Sequence, residues 1–253
     1  MSQSLLIGID IGTSSIKVVA VDFAGEVLAV TNTPISLNVP FAGWSEQNPE
    51  DWWSATCVGI RQLLVNIDAP EVFGIGLSGQ MHSLVALDAN EQVLRPSILW
   101  NDVRTKVEAN SIIEILGEDA LRRFTGNPSL EGFTATKLMW MRSHEPELFD
   151  RLTHVLMPKD YIRLRLTGEI ASDPSDASGT LLFDVANNRW SSEILSALAI
   201  DPELLPTIVE SSEIVGSVTR ETARETGLKE GIPVIAGGAD NAMAAVGAGV
   251  CSP

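Results

Sequence analysis

The sequence predicts an α/β protein with a mixed central sheet flanked by helices, and three observations carry that expectation. Short β-branched runs alternate with stretches of helical spacing along the chain, the pattern of strands covered by helices. The first three runs are separated only by short turns, which makes antiparallel hairpins and hence a sheet that is not all parallel. Hydrophobic residues make up 45% of the 253, enough for a substantial core.

Leu5 to Asp10, Ile16 to Asp22 and Val27 to Thr33 form the three opening strands, joined through Gly12-Thr13-Ser14-Ser15 and the Ala24-Gly25-Glu26 turn. Asn48 then offers a capping side chain, Pro49 fits a first helical turn, and Glu50 and Asp51 suit the positive end of the dipole, so a helix runs to about Val65. Strands follow at Val72 to Ser78 and at Ser83 to Asp88. Arg95-Pro96 to Asn101 is extended because a residue before proline avoids the helical region. Helical spacing marks Arg104 to Leu116, Glu118 to Phe124, Thr134 to His144, Asp160 to Leu166 and, more briefly, Ser191 to Leu198. A strand at Val215 to Val218, a helix at Glu221 to Thr226, a strand at Val234 to Ala236 and a helix over Ala242 to Gly249 close the chain.

Charge narrows the function classes. Seventeen Lys and Arg against 33 Asp and Glu give a net −16, which argues against a broad nucleic-acid or anionic-membrane surface. The longest apolar stretches, Leu5 to Ile9 and Ala242 to Val250, fall well short of the roughly 20 residues that span a bilayer. The first apolar run has no basic residue ahead of it and leads into Asp10, so it reads as a strand rather than a signal peptide, and a cytoplasmic protein is expected. Cys57 and Cys251 form no cluster with His82, His144 or His154, which points to two reduced thiols and no zinc site.

Three segments carry candidate chemistry. In Asp10-Ile11-Gly12-Thr13-Ser14-Ser15-Ile16-Lys17, Gly12 permits a tight turn, backbone N–H groups and the Thr13, Ser14 and Ser15 hydroxyls can surround phosphate oxygens, and Lys17 adds positive charge. Asp10 can hold Mg²⁺ through water. Taken alone, the segment is equally that of an ordinary hairpin. Gly237-Gly238-Ala239-Asp240-Asn241 places Asp240 at a helix N-terminus, either as a simple cap or as a carboxylate aimed into a cleft. Ser78-Gly79-Gln80-Met81-His82 is a strand-to-strand corner which, with Trp100, Asn101 and Asp102, offers paired donors, acceptors and an aromatic face for a polyhydroxylated ligand. Gly74-Ile75-Gly76-Leu77-Ser78-Gly79 matches a dinucleotide fingerprint in letters only, since it lies within a strand and opens no helix.

These segments together resemble the N-terminal domain of the FGGY family of carbohydrate kinases. The resemblance is carried by Ile7 to Lys17, Gly43-Trp44-Ser45-Glu46-Gln47 to Trp53, Gly76 to His82, Leu94 to Asp102, Gly132-Phe133-Thr134-Ala135-Thr136-Lys137-Leu138-Met139-Trp140, Met157 to Tyr161 and Gly237 to Asn241. Ser143 stands where the family's signature usually has a larger polar residue. Gln80-Met81-His82 is similar to the members that act on xylulose, where glycerol-specific members have an Arg-Glu pair. The resemblance implies a ribonuclease-H-like fold of the actin, hexokinase and Hsp70 kind over residues 1–253, and ATP-dependent phosphorylation of D-xylulose with Mg²⁺. A kinase for ribulose or another pentulose or polyol is the alternative, and a non-catalytic sugar-binding half-protein a second. It also implies Asp240 as the base and Asp10 as the magnesium organiser. Gly12, Thr13, Ser14, Ser15 and Lys17 would lie on the phosphates, and Gln80, Met81, His82, Trp100, Asn101, Asp240 and Asn241 on the sugar. Family members carry a second, adenosine-binding domain, whose Gly-rich motifs do not occur before Pro253. An excised half is therefore expected, weak in isolated turnover, with that C-terminal domain and a second copy of the chain as partners.

Overall fold

The computed structural model describes residues 3–68 and 70–250. β1 (Gln3–Ile11), β2 (Ser15–Asp22) and β3 (Val27–Pro34) form an antiparallel meander in which Asp10 stands opposite Lys17 and Ile16 opposite Thr33. After β4 (Glu46–Gln47) comes α1 (Pro49–Val65), whose first turn is closed by the Asn48 side chain accepting the Glu50 N–H at 3.1 Å. Helix α1 lays Trp52, Ile60 and Leu63 on the sheet; Gly59 permits the approach, because a Cβ there would stand 2.9 Å from Val18. β5 (Pro70–Gly79) then runs parallel to β1, so the expected mixed sheet is formed.

β6 (Val85–Leu87) and β7 (Ser97–Ile98) lead into a helical stretch of α2 (Lys106–Leu116), α3 (Glu118–Thr125), α4 (Thr134–His144) and α5 (Pro146–Phe149). β8 (His154–Leu156), α6 (Pro158–Thr167), α7 (Pro174–Ala177), β9 (Phe183–Asp184), β10 (Arg189–Trp190) and α8 (Ser192–Leu198) follow. β11 (Ile214–Ser217), α9 (Arg220–Thr226), β12 (Pro233–Ile235), β13 (Gly238–Ala239) and α10 (Asp240–Gly247) complete the chain. The main sheet reads β11-β12-β5-β1-β2-β3, with β13 also paired to β5.

Two apolar cores result. One surrounds the main sheet and α1, and the other gathers α2, α4 and α8. Between them stands β6, paired with β8: Val85 and Leu87 face the first core while Leu84 and Ala86 face the second. A strand buried on both faces reads as a continuous apolar run, which is how Ser83 to Asp88 looks in sequence. The strand is shorter than expected because Asp88 turns away, its Oδ1 accepting the Asn90 and Gln92 N–H groups. Helix α2 starts two residues late for a similar reason, since Arg104 N–H and Nε both donate to Asp102. Among the described residues no helix is long and apolar enough to cross a membrane.

Candidate functional site

The carboxyl ends of β1, β5 and β13 lie side by side: Asp10 is in register with Ser78 and Ser78 with Gly238, one step before Ile11, Gly79 and Ala239. Loops leaving strand ends are where an open α/β sheet presents chemistry. Alternation along β1 sends Leu5, Ile7, Ile9 and Ile11 into the core, and Gly8 and Asp10 to the other face. There Asp10, Lys17, Ser78 and Met243 share the walls of a cavity of about 260 Å³.

The loop after β1 is tightly held. Gly12 N–H donates to Ser15 O at 3.1 Å, and Ile35 N–H donates to Ser14 O at 3.0 Å. Gln47 Nε2 donates to Thr13 O at 2.8 Å, and the Trp100 indole N–H donates to Thr13 Oγ1 at 2.9 Å. Trp100 thereby touches the predicted phosphate loop directly, an approach the sequence did not signal. Gln80, only 2% exposed, sits behind this loop, with Thr13 and Ser83 donating to its Oε1 at 3.4 and 3.3 Å and its own Nε2 donating to Gln47 Oε1 at 3.4 Å. Its side chain supports the loop from beneath. Ser14 is exposed at the tip, Ser15 is half-buried beside it, and Lys17 is exposed on the neighbouring strand.

The corner after β5 brings Met81 and His82 to the Asp240 turn. Asn241 Nδ2 stands 3.8 Å from Met81 Sδ, and the Asp240 carboxylate is near enough for its charge to act on His82. His82 adopts a left-handed backbone, φ 66°, which is strained for a residue with a side chain. Its Nδ1 lies 2.5 Å from the Gly179 carbonyl; since a carbonyl can only accept, Nδ1 carries the proton and Nε2 is left as an acceptor. Burial, aided by the Lys137 charge and opposed by that hydrogen bond and Asp240, holds the imidazole below its usual pKa and so neutral.

Lys137 is wholly buried and acts on backbone. Its ammonium donates to His82 O at 2.8 Å and to Gly132 O, while Thr134 Oγ1 also donates to His82 O, at 3.1 Å. Gly132 in turn abuts Trp100, whose carbonyl lies 2.6 Å from where a Cβ would be. One cation thus ties the segment that carries His82 to Gly132, which packs against Trp100, and burial lowers its pKa to about 7.

The Asp240 turn rests on a second buried group. Lys159 Nζ meets Asp160 at 2.7 Å, Asp173 at 2.9 Å and Asp176 at 3.0 Å, and Arg163 meets Asp160 at 2.9 Å, all fully buried. Despite burial, the three carboxylates raise Lys159 above an ordinary lysine. Burial, together with Asp160 and Asp173 and against Lys159, pushes Asp176 up to about 7. Asp240 itself opens α10, with Asn241 N–H donating to its Oδ1 at 2.7 Å.

The structure therefore assembles Thr13, Gln80 and Trp100 into one linked group, Met81, His82, Asp240 and Asn241 into a second, and Asp10 and Lys17 into the neighbouring cavity. Asn101 is exposed beside Trp100, and no hydrogen bond ties its side chain to the others among the described residues. Asp102 corrects the pocket-lining expectation: it is fully buried, taken up by Arg104 at 2.7 Å and by the Ser45 N–H at 2.6 Å. Cys57 is buried, and burial first, then Glu225, raises its thiol to about 11, which suits a structural role; Cys251 lies outside the described residues. Sequence reasoning missed Gly179, where a Cβ would meet His82 Nδ1 at 2.8 Å and Met81 Cε at 2.9 Å. It assigned no role to Lys137, although a lone charge inside the apolar run of α4 is a readable signal.

Comparison with known proteins shows the family. The FGGY family of carbohydrate kinases, N-terminal domain, matches residues 5–247. A Bacillus subtilis xylulose kinase is 46% identical over 98% of the chain and a Escherichia coli xylulose kinase 44% identical over 97%; in each case the match covers 50% of the relative. The chain spans about half the length of the curated relatives it matches. The solved xylulose kinase of Rhodospirillum rubrum superposes with a TM-score of 0.95 at 32% identity, covering 98% of this chain and 51% of that one.

Proposed function

The chain belongs to the FGGY family of carbohydrate kinases, and from that premise we propose that it is the sugar-binding half of a cytoplasmic kinase transferring the γ-phosphoryl group of ATP to a hydroxyl of D-xylulose. The observation that supports this most is the meeting of Met81 and His82 with Asp240 and Asn241 at adjoining strand ends. A ketose needs a hydrogen-bond donor for each acceptor it presents and the reverse, and His82 Nε2 together with the Asn241 amide supplies both kinds. The Trp100 ring, 47% exposed, offers an apolar face beside them.

Phosphoryl transfer asks for positioning, charge neutralisation and an in-line hydroxyl. Asp240 takes the proton of the attacking hydroxyl, with Asn241 and His82 orienting the sugar. The loop from Gly12 to Ser15 presents N–H and hydroxyl groups to the transferring phosphate, and Lys17 adds positive charge beside the same cavity. Asp10, at the end of β1 beside that loop, is a half-buried carboxylate forming no ion pair among the described residues and would hold a magnesium ion through water. The ion would neutralise charge on the phosphate oxygens. In this reading the adenosine is held by a second domain of the whole protein, and closure of the two domains excludes water.

The test is sugar-dependent ADP release by the whole protein with MgATP and, in turn, D-xylulose, D-ribulose, L-ribulose and glycerol. Selective turnover with D-xylulose, abolished in Asp240→Ala, is the expected result. Preference for another sugar moves the specificity, and substantial turnover left in Asp240→Ala makes that residue a cap and not a base.

A further inference from the structure

We propose that Ser175 is a positioning residue for Asp240, coupling the buried Lys159 cluster to the turn that carries the carboxylate; the inference rests on Asp240 being the base. That turn is poor in anchors of its own. Gly237 has φ 76°, and neither it, Gly238 nor Ala239 has a polar side chain. Ala239 is the N-cap of α10 and has nothing to cap with, so backbone donors here need acceptors from elsewhere.

The acceptor is Ser175 Oγ, which takes the buried Ala239 N–H at 2.9 Å, directly before Asp240. The same hydroxyl donates to Asp173 Oδ2 at 2.5 Å, where Ser211 Oγ also donates, at 2.8 Å. Asp173 Oδ1 in turn receives Lys159 at 2.9 Å. A continuous path therefore runs from a fully buried ion cluster through one carboxylate and one hydroxyl to the residue next to the base. The turn's other end is held by different groups: Arg163 Nη1 donates to Ala236 O at 3.0 Å, and Gly237 N–H donates to Ser211 O at 2.9 Å. On the side of Gly237 where Asp240 lies, the pairing of β13 with β5 holds the strand, and Ser175 is the side chain that takes the N–H next to Asp240.

Against burial, Lys159 and the hydrogen bonds from Ser175 and Ser211 keep Asp173 below the usual carboxylate range, so the acceptor in the middle of the path is ionised. A charged acceptor strengthens the bond that orients the Ser175 hydroxyl and leaves its lone pair aimed at Ala239. Ala239 is 1% exposed, so removing that hydroxyl costs its N–H a buried partner.

The experiment measures kcat and sugar KM in the whole protein for Ser175→Ala, Ser175→Thr and Asp240→Asn, well below the melting point of each. A misplaced base costs rate more than affinity, so Ser175→Ala is expected to lose about tenfold to a hundredfold in kcat with sugar KM held within about twofold. Ser175→Thr, which keeps the hydroxyl, restores kcat. Wild-type kcat in Ser175→Ala, while Asp240→Asn is inactive, overturns the positioning role and leaves the reading of Asp240 standing. Turnover retained by Asp240→Asn overturns both. If Ser175→Ala cannot be recovered folded, Ser175→Cys, close in volume but a poor acceptor, carries the same comparison.

Discussion

Asp176→Asn is expected to remove a pH-dependent weakness from the fold. The buried cluster holds Asp160, Asp173 and Asp176 against Lys159 and Arg163, one negative charge in excess when all are ionised. Asp176 Oδ1 finds no hydrogen-bond partner, and burial together with its two acidic neighbours pushes the group up to about 7 from 3.8. Between those values the folded chain keeps a proton that the unfolded chain has released, so stability is full at the acid end and falls as pH rises towards 7. At about 1.4 kcal/mol per pH unit, the climb from pH 5 to pH 7 costs about 3 kcal/mol, with little further change above. An Asn side chain has the shape of the protonated acid and does not titrate there. Urea unfolding of wild type and variant, followed by tryptophan fluorescence at pH 5 and pH 8, isolates this group because other titrating residues cancel in the difference. The variant's advantage over wild type should grow by about 3 kcal/mol between pH 5 and pH 8, which for a chain of this size is roughly 6 to 12 °C in the difference of Tm. An offset between the two proteins that is the same at both pH values would refute the reasoning.

Two further predictions concern the walls of the sugar site in the whole protein. Gly179→Ala puts a methyl 2.8 Å from His82 Nδ1 and 2.9 Å from Met81 Cε, so both side chains must move; D-xylulose affinity by calorimetry should fall by about tenfold or more, and an unchanged affinity counts against this wall. Lys137→Met removes the donor to the His82 and Gly132 carbonyls and should likewise weaken the sugar by about tenfold. Because burial holds Lys137 at about 7, its charge and the clamp fade as pH rises through that value. Wild-type affinity should therefore decline from pH 6 to pH 8, and the Met variant should lose that component.

Local rules carried the reading of the sequence wherever they were sufficient by themselves. Asn48-Pro49-Glu50 starts α1 at the expected residue, and Thr134 to His144 is helical over the expected span, because capping and periodicity act within a few residues. β8 escaped notice because three residues ahead of a proline carry little periodicity, and β13 because two residues of Gly and Ala have none. The site divided in the same way. Gly12, Asp240 and His82 announced themselves by residue type next to a turn. Gln80 was expected on the sugar, whereas it is buried behind the loop; that burial depends on Gln47 and Ser83, and no local pattern shows it. Lys159 and Asp160 look like a solvated charge pair at a helix start. Only the arrival of Asp173 and Asp176 from another segment makes them interior, and pairings between distant segments leave no trace in spacing.

The strand between the two cores has a mechanical meaning for the whole chain. Val85 and Leu87 press on one side and Leu84 and Ala86 on the other, so neither core owns a boundary that could open on its own. Enlarging Ala86 strains the helical side and, through the rigid pleat, displaces Val85 on the sheet side. Among the described residues, the helical layer that carries Lys137 and the sheet that carries Asp10 thus lean on one shared wall, and both halves of the candidate site are built against it.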